Sequence, residues 1–310
     1  MLIVKNSMTI TEIAKQPMLT VMIFLEIIYT QMYITNMCNS HCSTCGIWKN
    51  KERQELDVNT IEDVVRAFPD ADYVIGGGEA ILHLHIDEIL SMLKYYDTKY
   101  TLLSNCIDVQ KLKLLVELYD VPAVTVSFDG FNHDNTRGSE GNTDKILYFK
   151  QWCEKQGVGF KLSYTLSKLN EKDFKSDMKM IRDLFGQKQI YFCLAQDMDL
   201  LETGHTGSFV ATDLQQVIDC NMLTYKDLEA VKAISGKCTR TACSSQNHVN
   251  TIYSNGDVVR CQSFMSKDVI GNVKGKEPAE IKKIIESIEN IGCPYDSQCN
   301  LLCQRRYDYE

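Results

Sequence analysis

Short apolar runs alternate with amphipathic segments over the first two thirds of the chain. The runs are rich in β-branched and aromatic residues, which favour strands, and the segments repeat apolar residues at helical spacing. Each predicted strand is therefore followed by a crossover, as in repeated βα units. The strands are predicted at 30–35, 72–76, 99–104, 123–127, 159–166 and 189–195, and helical patterns occur in NTIEDVVRAF, HIDEILSMLKYY, DVQKLKLLVELY and EKDFKSDMKMIRDLF.

This alternation predicts an α/β fold built on a parallel sheet. A closed barrel of eight βα units takes ~250 residues, whereas the six units predicted here occupy residues 30–222. An open, partial (β/α)6 barrel, similar to a TIM barrel, is the economical interpretation. We assign residues 1–29 to an N-terminal extension packed on the barrel and residues 223–310 to a small, cysteine-rich C-terminal domain.

Polar motifs follow the predicted strands, where parallel α/β proteins place their chemistry. Three cysteines, Cys38, Cys42 and Cys45, come directly after the first strand. We expect the loops after four strands to face one cavity, in which glycines let the backbone approach a ligand and a carboxylate can bind an ammonium group. The residues after the next three strands are Gly77, Gly78 and Glu79, then Ser104 and Asn105, then Ser127 and Asp129.

The overall composition is that of an ordinary globular protein, with 310 residues of which 44% are hydrophobic and 24% charged. The net charge of -8 argues against a general nucleic-acid or membrane-surface binder, since those present basic surfaces. The apolar run LTVMIFLEIIY is too short to span a bilayer and contains Glu26. With no signal-peptide pattern either, we expect a cytoplasmic protein that has no nucleic-acid or membrane partner.

The 13 cysteines are unevenly distributed. In a chain without an export signal most of them should be metal ligands, because the cytosol keeps thiols reduced. One group lies at 38–45 and a second between Cys238 and Cys303, so we expect two metal sites. The scattered cysteines are more typical of small buried side chains.

The first group allows two kinds of metal site. Three cysteines can form part of a structural zinc site if a residue such as His41 supplies the fourth ligand. A three-thiolate site beside a glycine-rich loop and a carboxylate instead suits a [4Fe–4S] cluster whose fourth iron is open to a ligand.

The CxxxCxxC spacing of Cys38, Cys42 and Cys45 resembles the signature of the radical S-adenosylmethionine (SAM) superfamily, and the resemblance extends over most of the chain. It implies an enzyme in which SAM binds the open iron of a [4Fe–4S] cluster through its amino and carboxylate groups. Reductive cleavage then gives methionine and a 5′-deoxyadenosyl radical, which abstracts a substrate hydrogen. An electron donor such as flavodoxin or ferredoxin is also implied.

The other strand-end motifs take roles from the same resemblance. Gly77, Gly78 and Glu79 match the family's GGE motif, which implies that Glu79 holds the methionine ammonium group. The stretch FDGFNHDNTRG resembles the DG…HD..RG stretch of members that carry a C-terminal cluster domain, in which Arg137 would clamp a carboxylate or the substrate. Ser104, Asn105, Ser127 and Asp129 would reach the ribose or carboxylate, while Ala80, Cys106 and Thr44 depart from the family's usual proline, glycine and aromatic residue.

The second cysteine group surrounds a predicted hairpin, HVNTIYSNGDVVRC, whose strands are joined at Asn255-Gly256. The cysteine spacing resembles the SPASM and twitch domains, which carry auxiliary [4Fe–4S] clusters. Asn290 stands where the two-cluster pattern has a cysteine, which favours one auxiliary cluster, and a zinc site made from the same thiolates is the alternative. By analogy its ligands are Cys238, Cys243, Cys261 and Cys303, with Cys293 and Cys299 as structural thiols or alternate ligands.

Two further residues are catalytic candidates. Cys193 lies near the end of the sixth predicted strand, where a thiol that faces the cavity would return a hydrogen atom to a substrate radical. Asp197 lies in the acidic segment that follows. A small buried side chain and a solvated loop, respectively, are the alternative interpretations.

Fold and clusters do not choose the reaction. Because only 37 residues precede Cys38, too few for a separate leader-peptide recognition domain, we expect a small-molecule substrate: dehydrogenation or epimerisation of a sugar, amino sugar or related polar metabolite. Maturation of a ribosomal peptide, by epimerisation or crosslinking of a residue, is the alternative. A non-enzymatic iron–sulfur or zinc-binding module is the alternative of a different class.

Overall fold

The computed structural model describes residues 29–186, 190–195, 214–220, 228, 231–232, 249–259 and 269–287. Within these residues the strands form one nine-stranded sheet. The strands are β1 (Tyr29–Thr35), β2 (Asp72–Gly77), β3 (Tyr100–Ser104), β4 (Ala123–Ser127), β5 (Gly159–Leu166), β6 (Tyr191–Leu194), β7 (Val249–Ile252), β8 (Asp257–Val259) and β9 (Val269–Asn272). Their order across the sheet is β6-β5-β4-β3-β2-β1-β7-β8-β9.

Helices connect the parallel strands and cover one face of the sheet. Asp57 begins the first helix by accepting a hydrogen bond from the backbone N–H of Thr60 at 2.9 Å, as an N-cap residue should. Pro278 at the first turn and a capping box between Glu277 and Glu280 begin the last one. The helices are α1 (Val58–Ala67), α2 (Ile86–Tyr95), α3 (Val109–Tyr119), α4 (His133–Arg137), α5 (Asn142–Gln156), α6 (Phe174–Phe185), α7 (Gln215–Ile218) and α8 (Pro278–Glu286).

The strands β1 to β6 form the predicted partial barrel. Each pairs in parallel with the next along the chain, and their bounds agree with the predicted strands to within two residues. The sheet does not close, because β1 pairs with β7 on its other edge and β6 pairs with β5 alone among the described strands. The predicted fold class, an open (β/α)6 barrel, is therefore confirmed.

The predicted C-terminal hairpin is present and continues the barrel sheet. Strands β7 and β8 are antiparallel, and Asn255 and Gly256 lie in the turn between them. Strand β7 also pairs in parallel with β1, with Thr30 opposite Asn250. The hairpin is thus joined directly to the first strand of the barrel. Of the predicted N-terminal extension, residues 1–28 lie outside the described part of the chain.

The two faces of the barrel sheet differ in polarity. On the outer face, Ile75, Leu102 and Val124 are fully buried against the helices. The inner face lines a cavity of about 1010 Å³ that extends to the amino-terminal ends of the strands. Its lining from the strands includes Gln31, Tyr33, Thr101, Thr125, Lys161, Ser163, Tyr191 and Cys193. None of the described helices combines the length and the apolarity needed to cross a bilayer.

Candidate active site

The loop that contains Cys38, Cys42 and Cys45, hereafter the cysteine loop, follows β1 and is anchored to the end of α4. Backbone N–H groups of His41 and Ser43 donate to the carbonyls of Arg137 (3.2 Å) and Thr136 (2.7 Å). The Ser40 hydroxyl donates to the Arg137 carbonyl as well, at 2.8 Å. The strand-end loop after β4 therefore holds the cysteine loop in place.

The glycine motif after β2 lies directly against the backbone of the cysteine loop. The N–H groups of Gly78 and Glu79 donate to the carbonyls of Thr35 and Met37, both at 2.8 Å. A Cβ atom added at Gly77, where φ is +147°, would lie 2.3 Å from the Thr35 carbonyl oxygen, and one at Gly78 would lie 2.4 Å from that of Met37. Only glycine allows this approach of two backbones. The role of these glycines toward a ligand stays a prediction.

Glu79 places a buried carboxylate beside the cysteine loop. Its side chain accepts hydrogen bonds from the Ser104 hydroxyl (2.9 Å) and the Asn105 backbone N–H (2.6 Å). Burial raises the pKa of this carboxyl to about 7, against the effect of those two hydrogen bonds. No lysine or arginine of the described residues forms an ion pair with it. A buried carboxylate of this kind suits a cationic ligand.

Asn105 connects β3 to the cysteine loop. Its side-chain amide donates to the Asn39 side chain at 2.8 Å and lies 3.9 Å from the Cys38 sulfur. The next residue, Cys106, has φ of +61°, in the left-handed region that favours glycine. Cys106 stands where the resemblance expects glycine, so the loop keeps a glycine-like conformation with a cysteine in it.

Asp129 and Arg137 form a buried ion pair next to the cysteines. Arg137 donates through Nε to Asp129 Oδ2 (2.7 Å) and through Nη2 to Oδ1 (3.0 Å). Asp129 Oδ1 also accepts from the Thr165 N–H at 3.1 Å, and Arg137 Nη1 lies 4.0 Å from the Cys42 sulfur. Asp129 thus orients the guanidinium group toward the cysteine loop, where its positive charge favours a negatively charged metal centre.

The cysteine thiols need an electropositive partner to ionise together. Burial, with the negative charges of Glu79, Cys42 and Cys45, raises the pKa of Cys38 to about 12, and burial also raises the pKa of Cys45. In the described part of the chain no three His, Cys, Asp or Glu side chains gather around a point for one metal ion. A four-iron cluster takes each thiolate on a different iron, so its ligands need no common point. The donor set fits such a cluster.

Several residues of the site were not singled out from the sequence. The His133 ring accepts from the Asp129 N–H (3.1 Å) and contacts the Asn142 amide (3.1 Å), which donates to the Asn105 carbonyl at 2.9 Å. Burial lowers the pKa of His133 to about 4, so the ring is neutral. This series of contacts through His133 and Asn142 links the loops after β3 and β4. The HD pair within FDGFNHDNTRG was a usable signal for His133, whereas no local pattern marks Asn142.

The side chain of Asp177, on α6, supports the loop after β4. Its carboxylate accepts from the Phe131 N–H (2.8 Å) and the Tyr164 hydroxyl (2.7 Å). A Cβ atom added at Gly130, where φ is +83°, would lie 2.0 Å from the Asp177 Cγ. Asp177 therefore packs directly on the loop that carries Asp129. In the sequence it reads as an ordinary charged position of an amphipathic helix.

Of the remaining predicted residues, Cys193 and Ser127 lie in the described part of the chain. Cys193 lines the cavity and is paired in register with Thr165, near the carboxyl end of β5. Ser127 is half-buried and lies on the same face of β4 as Thr125, which also lines the cavity. Asp197, Cys238, Cys243, Cys261, Cys293, Cys299 and Cys303 lie outside the described residues.

Part of the chain matches a known protein family. Residues 32–181, just under half of the chain, match the model of the Radical SAM superfamily. The family implies a [4Fe–4S] cluster and SAM as cofactors, and Cys38, Cys42, Cys45 and Glu79 all lie within the matched range. No curated protein is significantly similar to the chain in sequence.

Solved structures share the fold at low sequence identity. Native anSMEcpe with bound AdoMet and Cp18Cys peptide is 18% identical, covers 85% of this chain and 81% of its own, and has a TM-score of 0.61. Streptococcus suis SuiB bound to precursor peptide SuiA is 14% identical, covers 90% and 70%, and has a TM-score of 0.67. These likenesses establish the fold over most of the chain.

Proposed function

We propose that the chain, whose residues 32–181 match the Radical SAM superfamily, is an enzyme that cleaves SAM reductively and removes a hydrogen atom from its substrate. The observation that carries the proposal is the placement of Glu79. A buried carboxylate with no ion pair among the described residues lies beside three cysteines at the carboxyl end of a parallel sheet. The bound cluster would supply the electron that cleaves SAM.

Different residues of the chain would bind the cluster and SAM. Cys38, Cys42 and Cys45 would hold the cluster and leave one iron to SAM, and Glu79 would accept the methionine ammonium group. Ser104 and Asn105 fix the Glu79 carboxylate in place by donating to both of its oxygens. Arg137, held by Asp129 at 2.7 Å, offsets negative charge near Cys42 and lies where it can meet a carboxylate. Ser127, half-buried at the end of β4, is left to contact the ribose or substrate.

An auxiliary cluster in the C-terminal part of the chain is a second element of the proposal. Strand β7 runs parallel to β1, so the start of β7 and the end of β8 lie at the amino-terminal end of the barrel. The sequence places Cys243 six residues before β7 and Cys261 two residues after β8. This topology supports an auxiliary [4Fe–4S] cluster at the end of the cavity opposite the cysteine loop, with Cys238, Cys243, Cys261 and Cys303 as the proposed ligands.

We propose a peptide as the substrate class. Two of the proteins that share the fold, anSMEcpe and SuiB, were solved with peptides, and they cover 85% and 90% of this chain. A sugar or related polar metabolite, which the sequence favours, is the second candidate, because hydroxyl and amide side chains such as Gln31, Thr125 and Ser163 line the cavity. In both cases Cys193 faces the cavity as the proposed hydrogen-atom donor, with a flavodoxin or ferredoxin as the electron donor.

Metal analysis tests the cofactor proposal. Anaerobically reconstituted protein should bind about eight irons, as two four-iron clusters, and alanine at Cys38, Cys42 and Cys45 together should remove about half of them. Reduced protein with SAM should form 5′-deoxyadenosine, and the triple variant should form none. Zinc without iron in the reconstituted protein would refute the radical chemistry and leave a zinc-binding module.

The Glu79→Gln variant tests the observation on which the proposal depends. It should keep its iron, because no predicted ligand is lost, while SAM binding weakens by roughly 2–5 kcal/mol, the cost of truncating one partner of a buried charge pair. Calorimetry measures the affinity. Glu88→Gln is the matched control, since that carboxylate is largely exposed on α2. Equal SAM affinities of the two variants would remove Glu79 from the site.

The substrate class is tested with two fractions of the host cell, one of small metabolites and one of peptides, separated by size. A peptide substrate should raise 5′-deoxyadenosine formation in the peptide fraction alone. A response confined to the metabolite fraction would favour the sugar or related metabolite instead.

A further inference from the structure

The side chain of Trp48 contacts the cysteine loop. It lies in a short 3₁₀ turn, Ile47–Lys49, that follows the loop. The indole Nε1–H lies between two backbone carbonyls, 2.9 Å from that of Cys45 and 3.2 Å from that of Cys42. One donor is therefore shared by the peptide groups of two predicted cluster ligands.

Other contacts of the indole reach the same loop. The Trp48 ring meets the His41 ring edge-on, with centroids 4.9 Å apart, and the Lys49 ammonium lies 5.5 Å from its centre. The Cys42 carbonyl also accepts from the Cys45 N–H at 3.3 Å. The loop thus has two anchors: α4 binds its N–H groups at His41 and Ser43, and Trp48 binds its carbonyls.

We propose that Trp48 is a positioning residue, whose indole N–H sets the relative orientation of Cys42 and Cys45 and so determines how firmly the loop retains its cluster. An aromatic ring alone does not supply this function, because phenylalanine, which is also smaller, has no donor for the two carbonyls. The inference rests on the proposed function only in taking these cysteines as cluster ligands.

The chain offers a matched pair of variants, because Trp152 is its other tryptophan. Trp152 lies on α5, where it stacks on Phe149 with centroids 5.7 Å apart. Trp48→Phe removes the shared N–H and Trp152→Phe makes the same chemical change elsewhere. After anaerobic reconstitution, we expect an iron chelator to strip the cluster roughly tenfold faster from Trp48→Phe, the effect of losing one to two net hydrogen bonds. Trp152→Phe should release iron at the wild-type rate.

A second measurement uses iron-free protein and so does not depend on cluster or SAM chemistry. Alkylation of cysteines by iodoacetamide, followed by mass spectrometry, should be several-fold faster at Cys42 and Cys45 in Trp48→Phe than in Trp152→Phe. Cys106 and Cys153, which are fully buried, are the internal reference and should react equally slowly in both variants.

These readouts separate a local role from general destabilisation. Faster alkylation at Cys42 and Cys45 alone, together with faster iron release, supports the proposal. Equal acceleration at Cys106 and Cys153 would assign Trp48 to general stability, and unchanged alkylation or unchanged iron release would show that its N–H does not position the loop. Either of these results overturns the proposal.

Discussion

The Asp177 carboxyl group is buried, and burial disfavours its negative charge. The free energy of unfolding should therefore depend on pH. The side chain is 1% exposed, and burial raises its pKa from 3.8 to about 6, against the hydrogen bonds from Tyr164 and Phe131. Because the folded pKa lies above the unfolded one, the folded state binds the proton more tightly. The associated stability is complete below pH 3.8 and is lost as the pH rises through about 6.

The Asp177→Asn substitution should remove this pH dependence. A rise in pKa from 3.8 to about 6 corresponds to roughly 3 kcal/mol. An asparagine accepts from Phe131 and donates to the Tyr164 oxygen, so it resembles the protonated aspartic acid and pays no cost for a buried charge. The variant should therefore match the wild type near pH 4.5 and exceed it near pH 7.5, by roughly 5 °C in Tm for a chain of this size.

Differential scanning fluorimetry of iron-free protein from pH 4.5 to 7.5 measures this difference in Tm. Asp183→Asn is the control on the same helix, because Asp183 is exposed and pairs with Lys179 on the surface; its Tm difference should stay flat with pH. A flat difference for Asp177→Asn as well would refute the reasoning. A variant less stable than wild type at pH 7.5 would show that the charged hydrogen bonds outweigh the cost of burying the carboxylate.

Two further predictions concern the same loop and the cavity. Gly130→Ala should lower Tm by several degrees more than Gly141→Ala. Both residues have left-handed φ (+83° and +70°), but of the two only Gly130 would place the new Cβ against a neighbour, 2.0 Å from Asp177 Cγ. Equal losses of Tm in the two variants would contradict the clash. If Cys193 donates a hydrogen atom, Cys193→Ala should still form 5′-deoxyadenosine but lose the inverted product, while wild type in deuterium oxide should place one deuterium at the inverted carbon. Intact turnover with an oxidised product would instead assign Cys193 to the cavity wall and favour dehydrogenation.

The sequence predicts this fold well because its local patterns and its tertiary structure agree. Strands β1 to β6 are apolar on the outer face and follow one another in the sheet. The spacing of apolar residues and the order of the strands along the chain therefore suffice to place them. The strand-end motifs follow from the same logic, since parallel strands bring their carboxyl ends together. Ser104 and Asn105 accordingly both lie within hydrogen-bond distance of Glu79.

The parts that could not be predicted depend on contacts between distant segments. Asp177 resembles any exposed helical carboxylate until the fold brings it under Gly130. The sequence does not distinguish Trp48 from any other residue that follows a motif. A hydrogen bond from its side chain to the backbone carbonyls of Cys42 and Cys45 produces no recognisable spacing of residues along the chain. The reason for glycine at Gly77 and Gly78 is likewise the backbone opposite them, which is visible only in three dimensions.

The pairing of β1 with β7 has a consequence for how the protein is made. The partner of β1 on one edge, β7, begins at Val249, about 220 residues after β1 begins at Tyr29. At a synthesis rate of ~5–20 residues per second, that edge waits roughly 10–45 s for its partner. An unpaired edge in this interval is a template for strands of other nascent chains. Expression yield should therefore respond to translation speed and chaperone supply more than to the stability of the finished protein.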